Sequence, residues 1–334
     1  MPKNVLITGP DLVAPAVDLL TSAGLTPVYV PPYTGGEGLT EIVRAADPVG
    51  IISRMGRLDA ATMDCAPSLQ VISKHGVGVD NIDLAAAGER GIPVLMATGA
   101  NALSVAEHAI ALLLAVGKRL VPLDRGLREG RWEKAGFKGR EIAGSTLGLV
   151  AFGAIARHTA RIAQALGMTV IAYDPFCPAE AMEAAGVRRV HDVDALVTEA
   201  DVISLHSPLT DATRNLIDAR RLAMMKPDAI IVNTARGALI DEAALAAALA
   251  KGQIAGAGLD SFAQEPPAAE HPFWAEPRLV MTPHVGGVTT AANARVGIEA
   301  AQGIIDHLAG RDLPPARIAN RAALAPATSL KGLR

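Results

Sequence analysis

The segment from Ser145 to Asp174 constrains the fold of this chain more than any other. Its sequence is STLGLVAFGAIARHTARIAQALGMTVIAYD. Residues 146–151 form a short apolar run of strand length, residues 154–166 carry apolar side chains at helical spacing, and residues 168–173 form a second apolar run. Gly167 stands where a helix stop is expected. This order of strand, turn, helix and strand predicts a βαβ unit.

The turn of this unit has the spacing of a dinucleotide-binding motif, but not all of its glycines. The G-x-G-x-x-G frame falls on Ala151, Gly153 and Ala156. Gly153 is where the backbone must approach a pyrophosphate, and Ala154 and Ile155 would begin the helix whose N-terminal amides face it. Alanine at the first position predicts a turn whose first residue does not need a positive φ. On the glycines alone, an ordinary strand-to-helix connection explains the segment equally well.

Asp174 favours the dinucleotide interpretation. It ends the second strand, about 20 residues after Gly153, at the spacing of the carboxylate that binds the adenosine ribose. A carboxylate at this point would repel a 2′-phosphate. The sequence therefore predicts NAD, rather than NADP, as the cofactor.

Length and composition set the broad class. The 334 residues, half of them hydrophobic, are sufficient for two domains. A net charge of −3 gives no electrostatic case for nucleic acid, and the richest apolar run, residues 109–116, is too short to span a membrane. Cys65 and Cys177 indicate no disulfide framework, and the N-terminus shows no signal-peptide pattern, so a cytoplasmic protein is expected.

Strand-like and helix-like segments alternate before the βαβ unit. The predicted strands cover residues 4–8, 27–30, 50–53, 69–73 and 93–97, and the predicted helices cover residues 12–23, 39–46, 59–66 and 84–90. This alternation predicts a first α/β domain with a parallel sheet. Within it, the segment KHGVGVDNID at residues 74–83 would expose backbone amides at the carboxyl edge of the sheet. A plain strand-to-helix turn is the alternative.

A long helix is predicted for residues 101–120, with Ser104 and Glu107 as its capping box. His108 on this helix is interpreted as a packing or surface residue. Residues 123–144 are interpreted as a connecting segment with Trp132 as an anchor.

The alternation resumes after the βαβ unit. Strands are predicted at residues 202–205, 229–233, 255–259 and 279–282, and helices at residues 192–200, 218–225, 241–251 and 289–308. The segments HSPLT, TARG, DSFAQEPP and PHVGG follow these four strands in turn. Because parallel strands end at the same edge of a sheet, we expect these groups to converge. The last helix could return to the first domain.

Arg236, Glu265 and His284 form a candidate catalytic set at this edge. Reduction of a 2-keto acid needs a cation for the substrate and an acid for the carbonyl oxygen. Arginine offers a planar fork suited to a carboxylate, and histidine exchanges protons near neutral pH. A carboxylate beside the imidazole would orient it and raise its pKa. Taken singly, each residue is better explained without a function: the arginine as a surface ion pair, the glutamate as a loop residue and the histidine as a turn residue.

The chain resembles the D-isomer-specific 2-hydroxyacid dehydrogenases across residues 74–287. The matching segments, which occur in the family order, are KHGVGVDNID, NALSVAEH, LGLVAFGAIAR, YDP, LHSPLT, NTARGALIDEAAL, AGAGLDSFAQEPP and TPHVGG. The glycine frame is the main departure, since the family usually has glycine at Ala151 and Ala156. The resemblance implies an NAD-dependent oxidoreductase acting on the CH–OH group of a small D-2-hydroxy acid.

The resemblance also implies residue roles. Arg236 would orient the substrate, His284 would be the general acid/base, and Glu265 would be its carboxylate partner. Val77 and Gly78 would give backbone amides to the substrate carboxylate. Further cofactor-binding positions implied by the motifs are His206, Ser207, Pro208, Thr234, Ala235, Arg236, Asp260, His284 and Gly286. Asp260 and the backbone near Thr234 would hold the nicotinamide carboxamide, and His206 and Pro208 would line the adenine side. No metal site is implied.

The family fold predicts two doubly wound parallel α/β domains. A discontinuous, flavodoxin-like substrate domain would comprise residues 1–100 and 288–334, and a central Rossmann NAD-binding domain would comprise residues 101–287. The resemblance implies a homodimer built largely on the cofactor domains. Some relatives, the phosphoglycerate dehydrogenases, carry a C-terminal regulatory domain, and the short stretch after Gly310 leads us to expect none here.

The substrate and the class of function stay open at this point. Ser53, Arg54 and Arg57 follow a predicted strand and would meet an anionic group of the substrate, or form a solvated charged loop. Candidate substrates are 3-phosphoglycerate and the glyoxylate or hydroxypyruvate pair. One alternative is a non-catalytic NAD-sensing protein resembling the corepressors of the family. A second alternative is a formate dehydrogenase, which typically has glutamine where this chain has Glu265.

Overall fold

A computed structural model of the protein describes residues 3–32 and 34–324. These residues divide into two compact units. The first unit is built from residues up to Asn101 and from Thr289 onward, and the second is the continuous segment Ala102–Val288. In the described ranges, no helix is long and apolar enough to cross a membrane.

The first unit alternates strands and helices. Its elements before the second unit are β1 (Lys3–Thr8), α1 (Ala14–Ser22), β2 (Leu25–Val30), α2 (Gly36–Ala46), β3 (Gly50–Ser53), α3 (Ala60–Asp64), β4 (Val71–Lys74), α4 (Leu84–Glu89) and β5 (Val94–Met96). The five strands pair in parallel in the order β2-β1-β3-β4-β5. This is the flavodoxin-like order, in which the chain crosses back over the sheet after β2.

The second unit contains the βαβ segment of residues 145–174. Its elements are α5 (Ala102–Gly117), α6 (Leu120–Arg128), β6 (Thr146–Val150), α7 (Ala154–Ala165), β7 (Thr169–Tyr173), α8 (Ala179–Glu183), β8 (Arg188–Arg189), α9 (Val193–Glu199), β9 (Val202–Leu205), α10 (Ala219–Met224), β10 (Ile230–Asn233), α11 (Glu242–Ala250), β11 (Gly256–Leu259) and β12 (Leu279–Met281). The parallel sheet has the order β12-β11-β10-β9-β6-β7-β8. It is the Rossmann order with one further strand, β12, at the edge.

Successive residues of the strands face opposite sides of each sheet, and both sides are covered. In β1, Val5 and Ile7 belong to one buried cluster and Leu6 belongs to another. The chain re-enters the first unit as α12 (Thr290–Leu308), whose Ile304 is fully buried in the cluster of Val5 and Ile7. Replacing a buried isoleucine of this kind with alanine costs about 2–5 kcal/mol of stability, so α12 is an integral part of this core.

α5 packs closely on the sheet of the second unit. A Cβ added to Gly258 in β11 would lie 2.8 Å from the Leu112 Cβ. Only glycine lets the α5 side chains approach this strand so closely. The contact positions the middle of α5, including His108, above the carboxyl half of the sheet.

The predicted fold class is confirmed, and several local predictions are wrong. The helix of residues 101–120 ends at Gly117, because Arg119 adopts a left-handed φ of 52° before α6 begins. Ser104 is buried inside α5 and does not cap it. Trp132 is 77% exposed, so it is not the buried anchor that the sequence indicated.

α6, α8 and β8 were not predicted as such. α2, whose helix was predicted for residues 39–46, begins three residues earlier, at Gly36. α8 and β8 lie in residues 174–191, which carry no strong periodic pattern. β8 consists of two arginines and pairs with β7 at the edge of the sheet, where an apolar signature is not required.

Candidate active site

The turn between β6 and α7 is held by the acid at the end of β7. The Phe152 amide donates to Asp174 Oδ2 at 2.8 Å, and the Phe176 and Cys177 amides donate to Oδ1 at 2.8 and 3.1 Å. Asp174 therefore connects the turn after β6 with the loop after β7, the two segments of the predicted nucleotide site. Each carboxylate oxygen offers two acceptor positions, so one position on Oδ2 remains for a ribose hydroxyl.

The expectation for Ala151 is wrong. It predicted a first turn residue without positive φ, and the backbone of Ala151 has φ 71°. The turn thus keeps the left-handed geometry that glycine adopts freely, and alanine occupies it at a conformational cost.

Gly153 lies immediately before α7, with an extended backbone. A Cβ built on it would meet no heavy atom of the described residues within 4 Å. Gly153 and Ala154 are both exposed. Free space at the N-terminus of a helix of this length suits a pyrophosphate, because the first amides of the helix lack intrahelical partners.

Unpartnered polar atoms lie at the carboxyl ends of three neighbouring strands. In the described part of the chain, His206 Nδ1, Ser207 Oγ, Thr234 Oγ1 and Ser261 Oγ are buried without a hydrogen-bond partner. His206 Nε2 lies 2.9 Å from Ser204 Oγ, and burial lowers the His206 pKa to about 4, so its ring is neutral. Buried polar atoms ordinarily find partners. A ligand rich in hydroxyls, amides and ring nitrogens, such as NAD, fits this edge.

The loop after β10 carries Arg236. The Asn233 side chain stabilises the backbone of this loop. Its amide nitrogen donates to the Arg236 carbonyl at 2.8 Å, and its Oδ1 accepts from the Ala235 amide at 3.0 Å. A Cβ added to Gly237 would lie 1.9 Å from the Phe262 carbonyl carbon. Glycine is therefore required here, and the contact brings the Arg236 loop against the loop that follows β11.

Glu265 and His284 form a hydrogen-bonded pair in this unit. Glu265 Oε2 lies 2.8 Å from His284 Nδ1, and Glu265 Oε1 accepts from the Phe262 amide at 3.0 Å. Both carboxylate oxygens are thus engaged. Both side chains are partly exposed, at 38% for Glu265 and 45% for His284, so the pair is accessible from solvent.

The pair shifts the pKa of both partners. The hydrogen bond that His284 donates to Glu265 raises the pKa of His284 above its ordinary value, against an opposing effect of burial and of the Arg236 charge. Burial acts to raise the pKa of Glu265, but the hydrogen bonds from His284 and the Phe262 amide outweigh it and lower the pKa. The imidazolium and the carboxylate are therefore both favoured near neutral pH.

The turn that presents His284 is clamped by Asp260. His284 itself has a left-handed φ of 54°. The buried Asp260 carboxylate accepts from the Val285 amide at 2.9 Å, from the Gly286 amide at 2.7 Å and from the Thr282 hydroxyl at 2.5 Å. The contact of Asp260 with a nicotinamide carboxamide stays a prediction.

The predicted substrate residues of the first unit follow β3 and β4. The Arg54 guanidinium forms an ion pair with Asp11 and donates to the Asp11 carbonyl. Lys74 Nζ donates to Asn81 Oδ1 at 2.8 Å. Val77 is exposed and Gly78 is half-buried in the loop after β4.

Ser53 differs in its surroundings from what the sequence indicated. Ser53 is fully buried, and its hydroxyl accepts from Asn81 Nδ2 at 3.1 Å, so it neither meets an anion nor lies in a solvated loop. Arg57 is exposed.

Sequence reasoning missed four supporting residues: Asn81, Asn233, Gly237 and Thr282. Each lies within a motif that was used for the resemblance. Their position directly at or after a strand end was the available signal, because such polar residues and glycines determine how the loop leaves the sheet.

Comparison with known proteins assigns the chain to a family. Residues 110–286 match the family model described as D-isomer specific 2-hydroxyacid dehydrogenase, NAD binding domain. This chain belongs to the D-isomer specific 2-hydroxyacid dehydrogenase family. The predicted family and the NAD-binding domain are thereby confirmed.

Relatives in this family differ in length. A hydroxypyruvate reductase of Thermotoga maritima is 42% identical over 272 residues, which cover 81% of this chain and 87% of that protein. A D-3-phosphoglycerate dehydrogenase of Archaeoglobus fulgidus is 40% identical over 276 residues, which cover 83% of this chain and 52% of that protein. The chain thus spans about half the length of the matched phosphoglycerate dehydrogenase.

Solved structures share the fold across nearly the whole chain. A Thermus thermophilus protein is 37% identical with a TM-score of 0.83, and the match covers 93% of this chain and 98% of that one. A glyoxylate reductase from Paecilomyes thermophila is 31% identical with a TM-score of 0.82, and the match covers 95% of this chain and 98% of that one.

Proposed function

We propose that this protein is an NAD-dependent dehydrogenase that interconverts a small 2-keto acid and its D-2-hydroxy acid. The observation that carries the proposal is the hydrogen bond between Glu265 and His284, 2.8 Å long, at the carboxyl edge of an NAD-binding sheet. A pair of this kind can hold a proton near neutral pH and release it to an oxygen.

The side chains of the second unit have complementary tasks in this proposal. Arg236 binds the substrate carboxylate and orients the carbonyl, because its guanidinium fork matches two carboxylate oxygens. Since Nδ1 of His284 is bonded to Glu265, Nε2 is the nitrogen that gives its proton to the carbonyl oxygen during reduction. Glu265 stabilises the imidazolium and fixes the ring. Bound NADH supplies the hydride that adds to the carbonyl carbon.

The cofactor is assigned to NAD because of Asp174. Its carboxylate lies after β7, where it would accept hydrogen bonds from a ribose and repel a 2′-phosphate. The amides of Ala154 and Ile155 at the start of α7 would bind the pyrophosphate. Ser207, Thr234 and the Asp260 region would supply polar contacts along the strand ends, and the exposed Pro208 and the neutral His206 would border the adenine.

The first unit favours a keto acid with an uncharged tail. Val77 and Gly78 would donate amides to the substrate carboxylate. The Arg54 guanidinium is already neutralised by Asp11. Glyoxylate or hydroxypyruvate therefore suits this unit better than a phosphorylated acid, and hydroxypyruvate reductase and glyoxylate reductase are among the named relatives.

The substrate proposal is tested by following NADH absorbance with glyoxylate, hydroxypyruvate and 3-phosphohydroxypyruvate, each repeated with NADPH. We expect turnover of the first two with NADH, and a D-configured product. Preference for the phosphorylated acid would contradict the assignment of an uncharged tail. Tight NADH binding without turnover of any keto acid would instead support the NAD-sensing alternative.

We also propose that the protein is a homodimer that associates through its second unit. Exposed apolar side chains gather on α6 and the segment after it: Leu120, Val121, Leu127, Trp132 and Phe137. Leu127, Trp132 and Phe137 line one shallow groove. An exposed apolar patch of this kind marks an interface, and a second copy is the occupant that the family resemblance implies. A cytoplasmic location stays a prediction.

A further inference from the structure

His108 lies outside the predicted site, yet it contacts the residues that support the turn of His284. Its Nε2 is 2.8 Å from Thr282 Oγ1 and 3.5 Å from Asp260 Oδ1. Its side chain, in the middle of α5, is 22% exposed. The interpretation of His108 as a simple packing or surface residue does not account for these two polar contacts.

The direction of the hydrogen bonds follows from the donors available. The Thr282 hydroxyl has one hydrogen, which it donates to Asp260 Oδ1 at 2.5 Å. Because a hydroxyl has only one donor, its contact with His108 must be one in which Thr282 accepts. His108 therefore carries a proton on Nε2, and the chain of donation runs from His108 through Thr282 to Asp260.

This chain ends on the backbone that follows His284. Asp260 accepts from the amides of Val285 and Gly286, the two residues after His284. A Cβ added to Gly286 would lie 2.8 Å from Asp260 Oδ2 and 3.2 Å from His108 Cδ2. The turn is thus seated directly on the Asp260 and His108 side chains, with no space for a larger residue.

The turn needs such support because of its conformation. His284 has a φ of 54°, in the left-handed region that non-glycine residues adopt at a cost. Such a backbone persists only where its surroundings hold it. In this conformation, Nδ1 of His284 lies 2.8 Å from Oε2 of Glu265.

We propose that His108 is a positioning residue for the proposed dehydrogenase reaction, acting through Thr282 and Asp260 to hold the left-handed turn at which His284 meets Glu265. His108 touches neither the substrate nor the reacting atoms in this role. The proposal rests on the proposed function, since the positioning serves proton transfer by His284.

The test compares His108→Leu with His108→Gln. Leucine removes the donor while filling similar space, whereas the glutamine amide can donate from a position close to Nε2. We expect His108→Leu to lower kcat for keto acid reduction by up to about 100-fold, with NADH affinity changed less than about twofold. The falling limb of its pH profile should move to lower pH. His108→Gln should restore both the rate and the profile, and Thr282→Val should reproduce the leucine variant.

The double variant His108→Leu/Thr282→Val separates positioning from general loss of packing. If the two residues act through one chain of hydrogen bonds, the double variant is no slower than either single variant, because the second substitution removes nothing further. The proposal would be overturned by any of three results. The kcat losses of the two single variants multiply in the double variant, the pH profile of His108→Leu is unshifted, or His108→Gln is as impaired as His108→Leu.

A readout without turnover keeps this proposal distinct from the proposed function. The His284 imidazole is titrated by NMR in the intact protein, with its resonance assigned by its loss in His284→Gln. A lower His284 pKa in His108→Leu than in the unsubstituted protein and His108→Gln supports positioning, even if no keto acid is reduced. An equal His284 pKa in all three refutes it.

Discussion

The Nδ1 atom of His284 lies 2.8 Å from Oε2 of Glu265, and this hydrogen bond raises the pKa of His284 while lowering that of Glu265. The second oxygen of Glu265 is held by the Phe262 amide, so the carboxylate is oriented by the loop that carries it. The raised pKa of His284 therefore depends on two loops that follow neighbouring strands.

The pair predicts the pH dependence of the reaction. In the proposed reaction, reduction needs protonated His284, whose pKa is raised. We therefore expect kcat to stay high through neutral pH and to fall as pH rises through that pKa. Oxidation of the hydroxy acid should rise over the same range. In Glu265→Gln, the falling limb should move toward about pH 6.5, the ordinary value for histidine. Steady-state rates measured from about pH 5 to about pH 10, a range that brackets the pKa values of histidines, check this. An unchanged falling limb in Glu265→Gln would show that Glu265 does not raise the His284 pKa.

The same pair links pH to stability. The raised pKa of His284 means that its contribution to folding is complete below the unfolded pKa and is lost as pH rises through the folded pKa. The lowered pKa of Glu265 means that its contribution is lost as pH falls through its folded pKa. The contribution of this pair to stability is thus greatest between the unfolded pKa of Glu265 and the unfolded pKa of His284. Because both side chains are partly exposed, we expect a small effect.

Replacement of Asp174 should affect both the cofactor and the turn before α7. Asp174→Ala removes the acceptor of the Phe152, Phe176 and Cys177 amides as well as the proposed ribose ligand. We expect weaker NADH binding, a smaller preference for NADH over NADPH, and a loss of about 1–3 kcal/mol of stability from the unpaired amides. Cofactor titrations and urea unfolding measure the two effects. An unchanged preference for NADH over NADPH in Asp174→Ala would show that residues other than Asp174 determine this preference.

The first position of the glycine frame gives a prediction about strain. Ala151 has φ 71°, where an L-residue with a Cβ is disfavoured by about 1–2 kcal/mol. Ala151→Gly should therefore stabilise the protein by up to about 1 kcal/mol, after the greater flexibility of glycine in the unfolded chain is subtracted. Ala156→Gly is the control, because Ala156 is buried within α7. A glycine there should lower the stability of the protein by about 1 kcal/mol. Equal effects of the two substitutions in urea unfolding would contradict this account.

The exposed patch on α6 predicts the assembly state. Trp132→Asp with Leu127→Asp should convert a dimer to a monomer in light scattering, because charged groups are disfavoured in the core of an interface. Phe176→Asp is a matched control, since Phe176 is 93% exposed in the same unit but outside the patch. A dimer that survives the double substitution, or that is lost equally in the control, would argue against this surface.

The regular part of the fold could be predicted because parallel strands are continuous apolar runs. β3 and β9 match the predicted bounds fully. The same reasoning failed at Arg119, where the apolar pattern continues from α5 into α6 although the backbone turns left-handed. It also failed at Trp132, since sequence alone does not distinguish an apolar residue that packs inside a unit from one that faces outward.

The site was only partly predictable for a related reason. Strand ends indicated that Arg236, Glu265 and His284 would gather, and the structure brings Glu265 and His284 into contact. The contact of His108 with Thr282 joins residues far apart in sequence through one hydroxyl, and no local pattern reports such a pairing. The φ of Ala151 was missed because the turn geometry is imposed by the whole βαβ unit, not by the residue itself.

In the proposed reaction, His284 gives its proton to the carbonyl oxygen of a 2-keto acid that NADH reduces. The most direct measurement compares the unsubstituted protein with His284→Gln, following NADH consumption with hydroxypyruvate and glyoxylate and NADH binding by fluorescence. We expect kcat to fall by about 10²–10⁴-fold in His284→Gln, as for removal of a general acid, with NADH binding retained. Turnover at close to the original rate in His284→Gln would contradict it.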